Sequence, residues 1–403
     1  MSSERADCVV AGAGPAGLIT ALALAREGFD VRIIGPRVDE AVPDPRTTAL
    51  FAGSVSLLRN LGIWPHLQPR AAPLCGLRLI DDIGGLLHAP ETLFAAGELG
   101  LDVFGYNVDN ADLIAGLLAC VRAEPRISVI TGMVCGVEWS GEHVALQLAS
   151  GAKIDGGLAV AADGRNSATR AGAGIAVDTW SYPQCAVVTR FQHSRSHDGI
   201  STEFHRTAGP LTTVPLPGHA SSLVWVEQPA EADRLMRLAP DAFARELEER
   251  LQGLLGTVCD IAPRASFPLS GLTAQRMAAR RVALVGEAGH VLPPIGAQGL
   301  NLGFRDAATL AEEGASARAA GDDPWGEQAL SRYDERRRAD VLSRTLPVDL
   351  LNRSLLSGFE PFHLARVAGL QMIGSLPWLR QLVMREGMQP SLRLPRLMES
   401  AEI

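Results

Sequence analysis

The tightest constraint on this chain is Gly12-x-Gly14-x-x-Gly17, set between apolar Cys8-Val9-Val10-Ala11 and the Ala/Leu-rich stretch from Leu18 to Arg26. The spacing predicts a strand, a glycine turn and a helix. Gly28 then stops the helix, and β-branched Val31-Arg32-Ile33-Ile34 predicts a second strand. Gly12 permits the tight turn, Gly14 lets backbone approach a pyrophosphate, and Gly17 lets helix pack on strand. The helix N-terminus offers unpaired N–H groups to the phosphates. A glycine turn without a ligand is the competing reading, and the strand before and helix after weigh against it. One element departs from the pattern. Gly35 stands where a carboxylate at the end of the second strand would hold the adenosine ribose, leaving Arg37, Asp39 or a backbone atom for that task.

Further along, helical spacing covers Ser54–Leu61 and Ala111–Val121, and a period of two takes over from residue 131 to 162. A β-rich stretch over 182–229 alternates as a half-solvated antiparallel sheet does, 231–256 is helical, and the chain after Gly299 reads mainly as helix. No linker separates these parts, so interleaved domains are expected. A net charge of −8, from 37 basic and 45 acidic residues, repels nucleic acid and anionic lipid. The run Arg336-Arg337-Arg338 lies among acidic residues and is expected on a solvated helix face. Six scattered cysteines without a Cys-x-x-Cys pair fit a reducing cytoplasm. No apolar run is long enough for a membrane span.

Two more segments carry chemistry. Ala161-Ala162-Asp163-Gly164-Arg165-Asn166-Ser167-Ala168-Thr169-Arg170 brings an Asp-Gly turn out of an apolar strand into a helix start. Alone it is equally a capped helix, with Asp163 or Ser167 satisfying free N–H groups. Val285-Gly286-Glu287-Ala288-Gly289-His290 ends a buried strand in an acidic turn, and Pro293-Pro294-Ile295-Gly296-Ala297-Gln298-Gly299-Leu300-Asn301 leads into a helix. Such a loop can bring backbone N–H groups and a helix N-terminus to a flat, electron-accepting ring. His193 and His197 are four apart, but a loop pair is the simpler reading than a metal site, and no metal is expected.

In this order and separation the three motifs resemble those of single-component FAD-dependent aromatic hydroxylases with the p-hydroxybenzoate hydroxylase fold. Asp44-Pro45-Arg46-Thr47-Thr48-Ala49-Leu50, Gly105-Tyr106-Asn107-Val108-Asp109 and Leu376-Pro377-Trp378-Leu379-Arg380 are most similar to the ubiquinone-biosynthesis subgroup. The resemblance implies an α/β (α+β) fold. A discontinuous Rossmann-type FAD-binding domain (1–75, 100–180 and 270–330) would interleave with a mainly antiparallel substrate domain (76–99 and 181–269). A helical region, 331–403, would follow.

It also implies site residues. FAD would meet Gly12, Gly14, Ala16, Gly17, Arg37, Arg46, Asp163, Gly164, Ser167, Arg170, Gly286, Glu287, Gly296, Ala297, Gln298, Gly299, Leu300 and Asn301. Arg46, His290 and Pro294 would stand at the catalytic ring, against bland readings of Arg46 as a surface side chain and His290 as a loop brace. Tyr106, Tyr182 and His205 are candidates to meet a phenol. Two positions depart from the family pattern: Glu287 replaces an aspartate, and Ala297 replaces a glycine in a loop where positive φ is unfavourable for alanine.

The implied reaction takes hydride from NAD(P)H and adds O₂ to the reduced flavin. The resulting C4a-hydroperoxyflavin hydroxylates a polyprenylated phenol of ubiquinone biosynthesis. A small soluble aromatic is the alternative substrate. A non-catalytic flavoprotein that organises a biosynthetic complex is the alternative role. The amphipathic stretch 366–385 is expected to pack on the core, with peripheral contact at the inner membrane or with a ubiquinone-biosynthesis complex as the competing use.

Overall fold

A computed structural model of the chain describes residues 5–36, 44–83, 89–356, 369, 371–372, 375–388 and 393–399. Arg37 and Asp39, the two side chains expected near the ribose, lie outside the described residues, as does part of the 366–385 stretch.

The N-terminal reading holds element by element. Strand Ala6–Ala11 leads through Gly12–Gly14 into helix Pro15–Arg26 and back into strand Val31–Gly35. Cys8, Val9, Val10 and Ala11 are wholly buried, as a parallel strand covered on both faces must be. Parallel neighbours extend the sheet in the order Val282–Leu284, Lys153–Ala161, Ala6–Ala11, Val31–Gly35, Ile127–Thr131. The strands that deliver the three motifs, ending at Ala11, Ala161 and Leu284, are therefore adjacent. Their loops open at one end of the sheet, where ligands bind in open α/β sheets.

A second sheet, antiparallel except for one parallel pair, takes strands from both expected parts of the substrate region. Its order is His290–Val291, Ala265–Ala274, Val177–His193, Ala220–Glu227, Leu211–Leu216, Ile200–His205, Gly76–Asp81, Thr92–Ala95. Alternation divides its faces. Val187, Phe191, Phe204, Leu211, Leu223 and Trp225 pack against helices Pro229–Arg237 and Pro240–Arg250 through Leu235, Phe243 and Leu247. The opposite face turns to the nucleotide-binding unit. Thr47 Oγ1 lies 2.8 Å from Ser222 Oγ, Arg190 pairs with Asp109 at 2.8 Å, and Asn107 Nδ2 donates to the Pro215 carbonyl at 2.9 Å.

Helices Gln298–Ala319 and Glu327–Leu356 follow and pack on each other. Here the structure corrects the charge-run reading. Arg337 is buried between Asp306 and Asp340, and Arg336 pairs with Glu312 and Glu313; Arg338 alone of the three remains on a solvated face.

Candidate active site

Backbone contacts press the three motifs into one site. A β-carbon on Gly12, whose φ is +115°, would stand 2.2 Å from the Ala162 carbonyl oxygen, and one on Gly17 would stand 2.0 Å from the Gly12 carbonyl oxygen. The first motif is thus seated directly on the second. A β-carbon on Gly286 would meet Ala16 Cβ at 3.0 Å, and one on Gly303 would meet Gly286 Cα at 3.3 Å, so the third motif closes on the first helix. Buried Arg170 ties the second motif to the third. Its guanidinium donates to the carbonyls of Ala288 at 2.9 Å and Arg165 at 3.0 Å, and burial pulls its pKa below the ordinary arginine value.

The same motifs leave room on their open side. Around the β-carbon positions of Gly14, Gly164 and Gly299 there is no atom within 4 Å apart from the adjoining backbone and neighbouring residues. Helices Pro15–Arg26 and Gln298–Ala319 both begin without a side-chain cap and without an acidic residue in the first turn. Their free N–H groups and positive ends are left for an anionic ligand. Across the opening, Arg46 pairs with Asp44 at 2.8 Å and lies over the Phe267 ring, 5.2 Å from its centroid. The Asp44 bond, with the Glu287 charge adding to it, holds the guanidinium above its ordinary pKa. Burial alone would lift the Asp44 carboxyl, but hydrogen bonds from Arg46 and Asn110 outweigh it and hold the group below its usual range.

The FAD binding domain family model matches residues 5–93 and 140–343. Ubiquinone hydroxylase UbiL of Rhodospirillum rubrum is 34% identical over 411 positions, covering 100% of this chain and 94% of that protein. The chain belongs to the FAD-dependent ubiquinone-hydroxylase family. Within this family the 3-demethoxyubiquinol 3-hydroxylase of Escherichia coli is 31% identical, with 92% of this chain and 95% of that protein covered. The fold is shared with p-nitrophenol 4-monooxygenase of Pseudomonas putida at a TM-score of 0.78 and 21% identity, over 97% of this chain and 99% of that one.

Membership in a family of FAD-dependent monooxygenases implies a bound FAD, and the residues of the open cradle fit such a group. A β-carbon at Gly14 would project into open space beside an uncapped helix end, and two such helix ends suit the charge of an anionic cofactor. Several expected FAD contacts are already engaged in building this cradle. Asp163 accepts from Ser167 Oγ, from Thr169 N at 3.1 Å and from Thr169 Oγ1 at 3.0 Å, while Ser167 Oγ accepts from Arg170 N at 2.8 Å. Both side chains cap the helix Ala168–Gly172, so the competing capping reading describes them well. Asn301 is fully occupied: it accepts from Phe51 N and Ser54 Oγ and donates to the carbonyls of Ala49 and Ala297. Gln298 braces its own loop by donating to the Gly296 carbonyl at 3.1 Å and the Gly387 carbonyl at 3.4 Å. Leu300 packs partly against the core.

Two expectations need correction. His290 is not on the open side of the site. Its side chain is 0% exposed and its Nε2 lies 2.7 Å from Asp306 Oδ2 inside the protein. Ala297 does adopt the left-handed conformation, φ +50° and ψ +35°, because the loop must turn there to start the helix. Gly35 is enforced by packing, since a β-carbon would stand 2.5 Å from Ala13 Cβ. Pro294, Gly296 and Glu287 are exposed on the open side. Of the phenol candidates, Tyr106 packs its ring on Trp64 at 4.8 Å, and Tyr182 donates to Asp349 at 2.6 Å, its hydroxyl pushed up to about 12 by burial and that carboxylate.

Sequence reasoning missed Asp306. Its Oδ2 accepts from His290 and from Gly286 N at 2.9 Å, and its Oδ1 accepts from Arg337 Nε at 2.6 Å. Burial would raise this carboxyl, but the His290 and Arg337 charges hold it down at about 2. One buried carboxylate thereby fixes the turn that bears Glu287.

Proposed function

We propose that this monooxygenase hydroxylates the aromatic ring of a polyprenylated phenol in ubiquinone biosynthesis, with NAD(P)H as electron donor and O₂ as oxidant. The observation that carries the reading is the full-length relationship to ubiquinone hydroxylases together with the glycine-lined cradle, open at Gly14 and Gly299. Redox and oxygen chemistry belong to bound FAD; the chain's residues bind, orient and exclude water. Gly12, Gly14 and the first helix end would hold the pyrophosphate, with Gly164 backbone beside it. Glu287 would reach ribitol hydroxyls, and the start of helix Gln298–Ala319 would stabilise negative charge on the ring. Arg46 would add a positive charge on the same side, and Pro294 would border the ring. The sheet face carrying Val188, Val224 and Val226 would supply an apolar wall that favours a hydrophobic ring and keeps water away.

Bilayer contact belongs to this proposal. Leu342, Leu346 and Leu350 recur every four residues on helix Glu327–Leu356 and are exposed, as are Trp378 and Leu382 of helix Pro377–Met388. No helix among the described residues is long and apolar enough to cross a membrane. Sedimentation with liposomes, lost on Leu346→Glu with Trp378→Glu, tests the contact.

The central experiment profiles quinone intermediates by mass spectrometry in a deletion strain rescued with parent or Gly14→Ala protein. Gly14 has φ −79° and open space around its β-carbon position, so alanine leaves the fold intact while crowding the phosphate. Accumulated polyprenylphenol that the parent clears and Gly14→Ala does not is the expected result. Normal quinone in the deletion strain would replace the polyprenyl substrate with a small soluble aromatic. A colourless protein that neither binds FAD nor oxidises NAD(P)H with any phenol would replace catalysis with a scaffolding role.

A further inference from the structure

On the face of the second sheet away from its two helices, a buried carboxylate and imidazole meet in a mostly apolar row. Phe204 points to the helix-covered face, so its neighbours Glu203 and His205 lie on the other. In register, Glu203 stands between Leu79 and Thr212. The row continues through Val224 and Val188 to Ala265. Leu79 packs with Met384 of helix Pro377–Met388, and the Gly387 carbonyl of that helix accepts from Gln298 in the loop expected beside the flavin ring. The pair therefore lies beneath the same helix that meets the ring loop.

Its chemistry is specific. His205 Nε2 lies 2.8 Å from Glu203 Oε1, and the two side chains are 4% and 9% exposed. Thr212 Oγ1 donates to the other Glu203 oxygen at 3.3 Å. An ionised carboxylate only accepts, so the hydrogen between the two lies on Nε2, and in the neutral ring Nδ1 keeps its lone pair. Among the described residues, the ring's hydrogen bond is the one through Nε2. Asp81 stands across from His205 in register. Burying a carboxylate beside leucines and valines is costly for stability unless it is partnered, and here the partners of Glu203 are His205 and Thr212.

We infer that Glu203 and His205 form the acceptor for the ring hydroxyl of the substrate, an assignment that rests on the substrate being a phenol. His205 Nδ1 takes the phenolic proton. The O–H electron pair stays on oxygen as phenolate, which makes the ring more electron-rich, and Glu203 balances the imidazolium. His205 is then a catalytic residue and Glu203 positions it.

The test uses FAD-loaded parent, His205→Leu and Glu203→Gln proteins with two probes. Difference spectra with 4-nitrophenol report phenolate formation on binding, and turnover of a 2-prenylphenol reports hydroxylated product against hydrogen peroxide. His205→Leu is expected to abolish the phenolate band and lower kcat/KM at least tenfold while peroxide yield rises. Glu203→Gln should fall between, since the amide still orients the imidazole without balancing its charge. FAD affinity and the visible flavin spectrum should match the parent in both, which separates a site effect from misfolding. A phenolate band and coupling equal to the parent in His205→Leu would overturn the assignment. If the parent itself neither binds nor hydroxylates either phenol, the phenol reading fails first, and the assignment with it.

Discussion

Replacing Asp306 with asparagine removes one charge from the centre of the buried network and changes almost no volume. In the parent, this 0% exposed carboxylate neutralises Arg337, anchors His290 and accepts from the Gly286 amide. Asparagine can still accept from Gly286, but Arg337 then shares Asp340 with Arg305, and one buried positive charge loses its partner. Breaking a buried pair by removing one member costs about 3–5 kcal/mol. Unfolding entropy of about 2.1 cal/mol/K per residue, over 403 residues, converts this into a Tm lower by about 4–6 °C. Calorimetry on the holoprotein reads that shift. Fluorescence titration of the apoprotein with FAD should show weaker binding, because the Glu287 turn has lost its anchor. Adding Arg337→Met removes the orphaned charge and should recover part of the loss, the sign of coupling between neighbours. A melting point within about 1 °C of the parent, or a double variant as unstable as the two single losses summed, would refute the reasoning.

Three other perturbations follow from particular residues. Ala297→Gly removes a left-handed penalty of about 1–2 kcal/mol and adds about 0.5–1 kcal/mol of unfolded-state entropy. Urea denaturation should therefore show a gain of up to about 1.5 kcal/mol, and a loss of about 1 kcal/mol would contradict the strained loop. Gly35→Glu restores the carboxylate that the nucleotide motif lacks, yet its β-carbon would sit against Ala13. It should cost about 1–3 kcal/mol by overpacking without tightening FAD binding, whereas tighter binding at unchanged Tm would reverse that view. His193, buried beside His197 and His219, has its pKa lowered by burial, with the neighbouring imidazoles adding to the effect. The unfolded chain then binds this proton more readily. The stability it contributes is complete above its ordinary value of 6.5 and is lost as pH falls below it. Denaturation midpoints at pH 7.5 and about 5.5 should converge in His193→Gln, and an unchanged difference would exclude His193 as the source.

What the sequence made legible is what backbone geometry dictates locally. Gly12, Gly14 and Gly17 announce their turn because a β-carbon at Gly12 or Gly17 would strike Ala162 or the turn's own carbonyl, a constraint written within a few positions. The alternation that builds the second sheet is equally local. Side-chain partnership is different, because it joins residues far apart in the chain. Nothing near Asn301 indicates that it will latch onto Ser54, and nothing near Asp163 decides between a cofactor and the helix it caps. Arg336-Arg337-Arg338 illustrates the limit most clearly, since identical neighbours end in a half-buried ion pair, a buried one and solvent. One signal was present. Tyr333, Arg337, Asp340 and Arg344 recur at three- and four-residue spacing, so the charges share a helix face with a tyrosine that proves fully buried. Charges on the apolar stripe of a helix must find partners across the interface, and the facing helix offers Arg305 and Asp306 next to each other. The same logic finds Glu203 and His205, two apart in a strand and hence on one face, where alternation puts ionisable groups among leucine and valine. Periodicity assigns such residues to a buried face; the packing around them decides whether they brace the fold or meet the substrate.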